Sequence, residues 1–135
     1  SPIAHRPSPI AKPKEHMNNN YKKLDVYAKS RQLVVTVYSL LKHFPAEEKY
    51  ALGDQMCRAV ISVPSNIAEG SGRTSAKDQA PFFEMAFGSL MEVSCQMDIA
   101  CDLGYIEQLE LNQVEEQTHR IAAMLSGLRR KCLTR

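Results

Sequence analysis

The sequence lacks the charge excess that a polyanion-binding or membrane-binding protein usually shows. Its 135 residues hold 17 Lys and Arg against 15 Asp and Glu. Residues 1–16 contain three of the basic residues and one of the acidic ones, so residues 17–135 carry 14 of each and are neutral. This balance disfavours a nucleic-acid or membrane binder that depends on bulk positive charge.

Further absences narrow the class of protein. No apolar run approaches the roughly 20 residues that a membrane span needs, so we expect no membrane partner. No signal sequence is present, and we therefore expect a cytoplasmic protein. The four cysteines form no CxxC pair, which favours reduced, buried thiols over a disulfide framework or a zinc site. No cofactor fingerprint occurs, and we expect no cofactor.

Residues 1–16 differ in composition from the rest of the chain. They contain four of the seven prolines and almost no large apolar side chains. Such a segment cannot bury enough apolar surface to fold, so we interpret it as a disordered arm or an expression remnant. Residues 17–135 are then a single domain of ordinary size.

Apolar residues recur at helical spacing along residues 22–133, and turn signals divide this stretch into four segments. We predict helices over residues 24–43, 46–71, 75–103 and 108–132, with Ser75 or Asp78 as the start of the third. Pro64 predicts a kink in the second helix, and Gly70 and Gly72 predict its end. Pro81 favours the later start of the third helix, because the first helical turn needs no proline N–H.

Each predicted helix carries a stripe of apolar residues that we expect to form one core. The first helix carries two neighbouring stripes, which are Leu24, Tyr27, Val34, Tyr38, Leu41 and Leu33, Val37, Leu40, Phe44. The stripes of the other three helices are Leu52, Met56, Ala59, Val60, Val63, Ile67; Phe83, Ala86, Leu90, Val93, Met97, Ala100; and Leu111, Val114, Ile121, Leu125, Leu128. Four long helices with short connections predict an all-α, antiparallel, up-down-up-down four-helix bundle. The first and third helices carry further apolar residues, such as Tyr38, Phe87 and Met91, so each must cover more than one neighbour.

A line of polar residues follows one face of the second helix. Its members, each three or four residues after the last, are Arg58, Ser62, Asn66, Glu69 and Arg73. Glu92 of the third helix is placed to meet this line. Three interpretations are open: a polar layer that sets helix register or a subunit contact, a ligand-binding groove, and a catalytic carboxylate pair.

Gly88 and Ser89 lie inside the third helix, where glycine costs about 1 kcal/mol relative to alanine. Close helix packing at this point would offset that cost, and we predict it. The Glu-x-x-His step at Glu116 and His119 is the one that di-iron bundles use, but those sites need it twice together with two further glutamates. The step occurs once here, so we expect no metal.

Basic residues cluster at two places in the sequence. They are Lys22, Lys23, Lys29 and Arg31 in the first helix, and Arg129, Arg130 and Lys131 near the C-terminus. On a neutral domain these residues contact nucleic acid only if the fold, or an oligomer, gathers them into one patch. No motif of an RNA-binding module is present.

One stretch of the chain resembles a known family. Residues 52–73 read LGDQMCRAVISVPSNIAEGSGR, which closely resembles the signature of bacterial four-helix-bundle proteins, also called ribosomal RNA intervening-sequence proteins. The family's later pattern is matched by Phe83, Ala86, the tripeptide Gly88-Ser89-Leu90, and Glu92. The similarity covers residues 21–128.

The resemblance implies a cytosolic, left-handed four-helix bundle that assembles as a homopentamer around a central channel. The biochemical function of the family is poorly defined. Some members are encoded within inserts in large-subunit ribosomal RNA genes. Related accessory proteins of diversity-generating retroelements are basic pentamers that contact RNA and a reverse transcriptase.

We therefore expect a non-enzymatic oligomeric scaffold or adaptor whose partners are copies of itself and either RNA or another protein. An RNA-binding accessory protein that uses basic patches of the oligomer is one alternative. A small metal-dependent enzyme built around Glu69, Glu92 or His119 is the other. We expect the polar residues to act first in assembly or helix register and second as ligand contacts; they are Arg58, Asn66, Glu69, Arg73 and Glu92.

Overall fold

The computed structural model describes residues 20–134, and residues 1–16 lie outside them. After a 3-10 turn (Asn20–Lys23), the elements are α1 (Asp25–Leu41), α2 (Ala46–Lys49), α3 (Leu52–Ser71), α4 (Ala76–Asp102) and α5 (Gln108–Leu133). The single-turn α2 joins two of the four long helices. No strand occurs within residues 20–134, so the prediction of an all-α fold with four long helices is confirmed.

The four long helices are arranged so that each contacts two others. α3 packs extensively on α4, and α4 on α5, while α1 contacts both α3 and α5. The core lies between them, and its fully buried side chains include Leu33, Met56, Leu90 and Ile121. Each burial of this kind stabilises the fold by about 1.5–3 kcal/mol. None of the described helices is long and apolar enough to cross a membrane.

The predicted core stripes are confirmed for the most part. On the second, third and fourth predicted helices all members are buried except Leu52 and Leu128, which pack against the core from partly exposed positions. Of the two stripes on the first helix only one is buried, that of Leu33, Val37, Leu40 and Phe44. The members of the other stripe are half-buried, except Tyr38, which is exposed. The expectation of buried cysteines is wrong. Cys95 is exposed, and the other three cysteines are half-buried.

The second predicted helix is divided by a break that sequence reasoning missed. Ala51 adopts φ −119° and ψ −94°, outside the helical region, so α2 and α3 are separate. The Ala51 N–H donates to the carbonyl oxygen of Glu48 at 3.1 Å, which closes the last turn of α2. The helix predicted over 46–71 is therefore two helices. Pro64 lies buried inside α3, and its predicted kink stays a prediction.

The third predicted helix begins at the earlier of its two proposed starts. The side chain of Ser75 accepts a hydrogen bond from the Asp78 N–H at 3.1 Å, which caps α4. This cap outweighs the presence of Pro81, which lies exposed within the helix rather than in its first turn. The preference for a start at Asp78 was wrong.

Gly104 ends α4 as the sequence predicts. Its φ is +82°, a conformation that glycine adopts without a Cβ penalty. The N–H of Tyr105 donates to the Ala100 carbonyl at 2.9 Å, and that of Gly104 to the Cys101 carbonyl at 3.0 Å. These two bonds form a Schellman motif and satisfy the last carbonyl groups of the helix.

Gly70 has a different role from the one predicted. Gly72 caps α3 as predicted, whereas Gly70 is its last residue but one. A Cβ built on Gly70 would be 2.8 Å from the Phe82 Cβ and 2.9 Å from the Phe83 Cε1.

The close helix packing predicted at Gly88 therefore occurs at Gly70 instead. A Cβ on Gly88 would meet no atom within 4 Å, so Gly88 itself makes no close contact within the chain. Ser89, the other residue of that prediction, does contact α3, through the Ser62 hydroxyl at 2.8 Å.

Candidate functional site

The predicted polar line forms part of an open cleft between α3 and α4. The cleft has a volume of about 250 Å³, and it is lined by Gln55, Arg58, Ala59, Ser62, Ser89 and Glu92. Two neighbouring helices contribute polar groups to it, since both turn a polar stripe toward the contact between them. The structure thus brings Arg58 and Glu92 to the same cleft.

A short chain of hydrogen bonds crosses the floor of this cleft. The Ser89 hydroxyl donates to the Ser62 hydroxyl oxygen at 2.8 Å, and this bond links α4 to α3. The Asn66 amide donates to the Ser62 hydroxyl and to the Ser62 carbonyl, both at 2.9 Å. Because these groups are half-buried and partnered, they hold the two helices in one register.

The two charged residues of the cleft, Arg58 and Glu92, remain exposed at its rim. They form no ion pair with each other within 4 Å. Glu92 instead accepts a hydrogen bond from the Gln96 amide nitrogen at 3.2 Å. The Gln96 amide oxygen is buried without a hydrogen-bond partner among the described residues. Arg58 and Glu92 are therefore available to groups outside the chain.

The remaining two members of the polar line are separated from the cleft. Arg73 pairs with Glu69 at 3.3 Å near the end of α3, where both side chains are largely exposed. The Arg73 guanidinium also lies 4.5 Å from the centre of the Phe82 ring, at the start of α4. These contacts tie the end of α3 to α4, and exposed ion pairs of this kind contribute little stability.

A second surface, which we call the apolar groove, runs between α1 and α3. It has a volume of about 410 Å³, and its lining residues are Tyr21, Tyr27, Arg31, Val34, Val35, Ile61, Pro64, Ser65 and Ala68. Val35 is 70% exposed and Ile61 43% exposed, although both are large and apolar. Sequence reasoning missed this groove because it depends on the pairing of α1 with α3.

The outward side of α4 is also apolar. Met85, Met91 and Ile99 are exposed there, and Gly88 leaves a gap between the first two. The excess of apolar residues on the third predicted helix indicated this surface. We call it the α4 stripe.

The fold sorts the charged residues between its two ends. Lys131 lines a cleft with Leu24 and Asp25, so the start of α1 adjoins the end of α5. The pair of Arg129 with Glu84 brings the start of α4 to the same end. This basic end comprises residues 20–28, 66–80 and 125–134, with seven Lys or Arg and three Asp or Glu.

The other end of the bundle is acidic. The Tyr105 hydroxyl donates to the Glu48 carboxylate at 3.0 Å, which joins α2 to the connection between α4 and α5. Burial, and then this bond to Glu48, raise the pKa of Tyr105. The acidic end comprises residues 41–54 and 98–112, with two Lys and seven Asp or Glu.

The basic residues singled out in the sequence divide into two groups. Three of them are engaged within the chain. Lys29 lies 3.6 Å from Asp25, Arg31 lies over the Tyr27 ring, and Arg129 pairs with Glu84 at 3.0 Å and stacks on Phe87. The others are exposed at the basic end without an ion pair among the described residues; they are Lys22, Lys23, Arg130 and Lys131.

The residues of the metal-enzyme alternative do not come together. Glu69 pairs with Arg73, Glu92 accepts from Gln96, and His119 is exposed on α5. No group of three or more His, Cys, Asp or Glu in the described part of the chain is arranged to hold a metal ion. The geometry gives this alternative no positive support.

These features define a class of protein, an all-α domain of four long helices with polar and apolar grooves between neighbouring helices. The family is visible in the sequence itself. The chain belongs to the 23S rRNA-intervening sequence protein family, whose profile matches residues 22–127. The resemblance described above is thereby confirmed.

The fold is also that of a solved structure, a protein with unknown function from the S23 ribosomal protein family of Bacteroides thetaiotaomicron VPI-5482. The two chains superpose with a TM-score of 0.71 and 19% sequence identity, over 77% of this chain and 97% of that one. At this identity the likeness establishes the fold alone. No curated protein matches the chain at a significant level.

Proposed function

We propose that the chain is a non-enzymatic, self-assembling scaffold or adaptor that forms a cytoplasmic homopentamer of antiparallel, left-handed four-helix bundles. The exposed apolar groove and the α4 stripe carry this proposal. Contiguous exposed apolar surfaces on a folded domain are typical of interaction sites. Five copies is the number that the family resemblance implies.

Contacts between α3 and α4 support the antiparallel order. Gly70 lies against Phe82, whereas Ser62, about two turns earlier, bonds to Ser89, about two turns later. Residue numbers thus rise along one helix as they fall along its neighbour. A left-handed twist is the usual packing of long antiparallel helices.

The two apolar surfaces belong to different parts of the same chain. Such surfaces pair head to tail, and head-to-tail contacts close into a ring when the rotation between copies permits it. In this arrangement the α4 stripe of one copy enters the apolar groove of the next. The polar cleft lies between these two surfaces, where Arg58 and Glu92 set the register of the subunit contact.

Ile61→Glu is expected to abolish the oligomer, because it places a charge in an apolar contact that excludes water. Light scattering at about 1 M salt, which screens contacts that depend on charge, should give a multiple of 15.2 kDa for the wild-type chain and a single copy for the variant. Ala123→Glu is the matched control, since Ala123 is exposed on α5 and lies outside both surfaces. A monomeric wild-type chain, or an Ile61→Glu oligomer, would contradict the proposal.

RNA binding is the second proposed function, and the basic end supports it. Lys131 lies in one cleft with Leu24, so the two pairs Lys22–Lys23 and Arg130–Lys131 belong to the same end of the bundle although they are distant in sequence. A neutral domain can therefore present a local cationic surface, which an oligomer of identical copies repeats.

Alanine at Lys22, Lys23, Arg130 and Lys131 together is expected to weaken binding to a single-stranded RNA oligonucleotide. If each contacts one phosphate, the dependence of log affinity on log salt becomes shallower by about 3. Fluorescence anisotropy over a salt series measures this slope. Lys42→Ala with Lys49→Ala, at the acidic end, should leave the slope unchanged. Equal slopes for all three proteins would exclude the basic end as the RNA site.

A further inference from the structure

We propose that the acidic end of one bundle docks on the basic end of a second copy, so that bundles stack end to end. This inference does not depend on the lateral contacts of the proposed pentamer. A single bundle and a lateral oligomer each present the same two ends. The proposal rests on the charge and exposed apolar surface at those ends.

The acidic end presents apolar side chains among carboxylates. Tyr50 is 83% exposed and Leu109 is 78% exposed. Leu103, at the end of α4, is a third exposed apolar residue of this end. The neighbouring carboxylates that are exposed and form no ion pair among the described residues are Glu47, Asp54, Asp98 and Asp102. An apolar centre with a charged rim is the usual composition of a protein interface.

The other carboxylates of the acidic end are already engaged in the fold. Glu48 accepts from Tyr105, and Glu107 with Glu110 forms the capping box of α5. The charge available for docking therefore comes from residues that the fold does not use. Burying or pairing these exposed carboxylates requires a cationic surface from outside the bundle.

The basic end of the same chain has the matching composition. Leu133 is 83% exposed there. Its exposed cations that form no ion pair among the described residues are Lys22, Lys23, Lys77, Arg130 and Lys131. The basic end has a net charge of +4 (seven minus three) and the acidic end −5 (two minus seven). The two surfaces are therefore complementary in sign and close in magnitude.

Helix dipoles do not produce this difference between the ends. The acidic end holds the starts of α3 and α5 and the ends of α1 and α4, so opposite partial charges are side by side there. Side chains alone determine the sign of each end. Every further copy of the chain presents an end of opposite charge, so the binding partner is always as abundant as the chain itself. A head-to-tail contact of this kind extends as an open stack.

Sedimentation velocity across a salt series tests the stacking. At about 1 M salt, where the Debye length is about 3 Å, the mass should be that of the lateral assembly alone. At about 0.01 M salt the Debye length is about 30 Å. The average mass should then at least double, and it should rise with protein concentration. The high-salt mass tests the pentamer, and the increase at low salt tests the stacking, so the two proposals fail separately.

Charge reversal locates the contact. Lys22→Glu with Lys77→Glu lowers the net charge of the basic end from +4 to zero (five minus five) and should abolish the increase in mass at low salt. Both positions lie near the start of a helix, where glutamate is compatible with the dipole. Lys42→Glu with Lys49→Glu makes the same change in net charge at the acidic end, and it should preserve the increase. Equal losses in both variants would show a net-charge effect and overturn the proposal.

Mixing two variants provides the decisive result. Glu47→Lys with Asp102→Lys lowers the charge of the acidic end from −5 to −1 (four minus five), so this variant should also fail to stack alone. An equimolar mixture with the Lys22→Glu, Lys77→Glu variant should recover a doubling of the mass, because the unchanged acidic end of one variant then meets the unchanged basic end of the other. Failure of the mixture overturns the proposal. So does growth that disappears after nuclease treatment, which would assign the contacts to RNA.

Discussion

Gly70→Val is expected to lower the free energy of unfolding by about 3 kcal/mol, because it overpacks the contact between α3 and α4. The first carbon of any side chain at this position would lie 2.8 Å from the Phe82 Cβ. That atom is attached to the α4 backbone and cannot rotate away, so the start of α4 must move. Urea unfolding of wild type and variant measures the difference.

Gly88→Val is the matched control for this prediction. It adds the same side chain inside a helix, but a Cβ there would meet no atom within 4 Å. The bundle should therefore keep its stability, since valine in a helix is no worse than glycine. If Gly88 lies in the lateral contact, the substitution weakens assembly without destabilising the bundle. A Gly70→Val protein as stable as Gly88→Val would show that α4 adjusts without cost.

Leu90→Ala is expected to lower the free energy of unfolding by about 2–5 kcal/mol. Leu90 is fully buried at the middle of α4, the helix that packs against both α3 and α5. Removing its side chain leaves a cavity that rigid neighbours on two sides cannot fill. The midpoint of urea unfolding should fall, with the slope unchanged if the transition remains two-state.

Met91→Ala, one residue further on, separates burial from helix propensity. Met91 is exposed, and its replacement should change the unfolding free energy by no more than about 0.5 kcal/mol. Measurements at a protein concentration where the chain is monomeric keep any lateral contact out of the comparison. Similar losses for Leu90→Ala and Met91→Ala would contradict the position of the core.

Local patterns in the sequence were sufficient for the helices and their buried faces. Leu90, Val93 and Met97 follow the period of an α-helix, and that period alone identifies the side that packs inward. Gly104 ends α4 because a positive φ suits glycine, whatever the neighbouring helix. The family, too, is evident from residues 52–73 alone.

Contacts between helices could not be obtained from those patterns. The break at Ala51 and the packing of Gly70 on Phe82 depend on distances between elements, and both were missed. The polar line indicated Asn66 and Glu92, but the bond from Ser89 to Ser62 exists only because α4 lies beside α3 at that height.

The near-zero net charge shows most clearly which properties the sequence determines and which the tertiary structure determines. The sequence by itself establishes four amphipathic helices and a neutral domain, because composition and helical period are properties of the chain alone. Only the tertiary structure brings the start of α1 beside Lys131 and Glu48 beside Tyr105 at the opposite end, since it decides which helix ends adjoin. Charges that cancel in the sum are thereby separated in space.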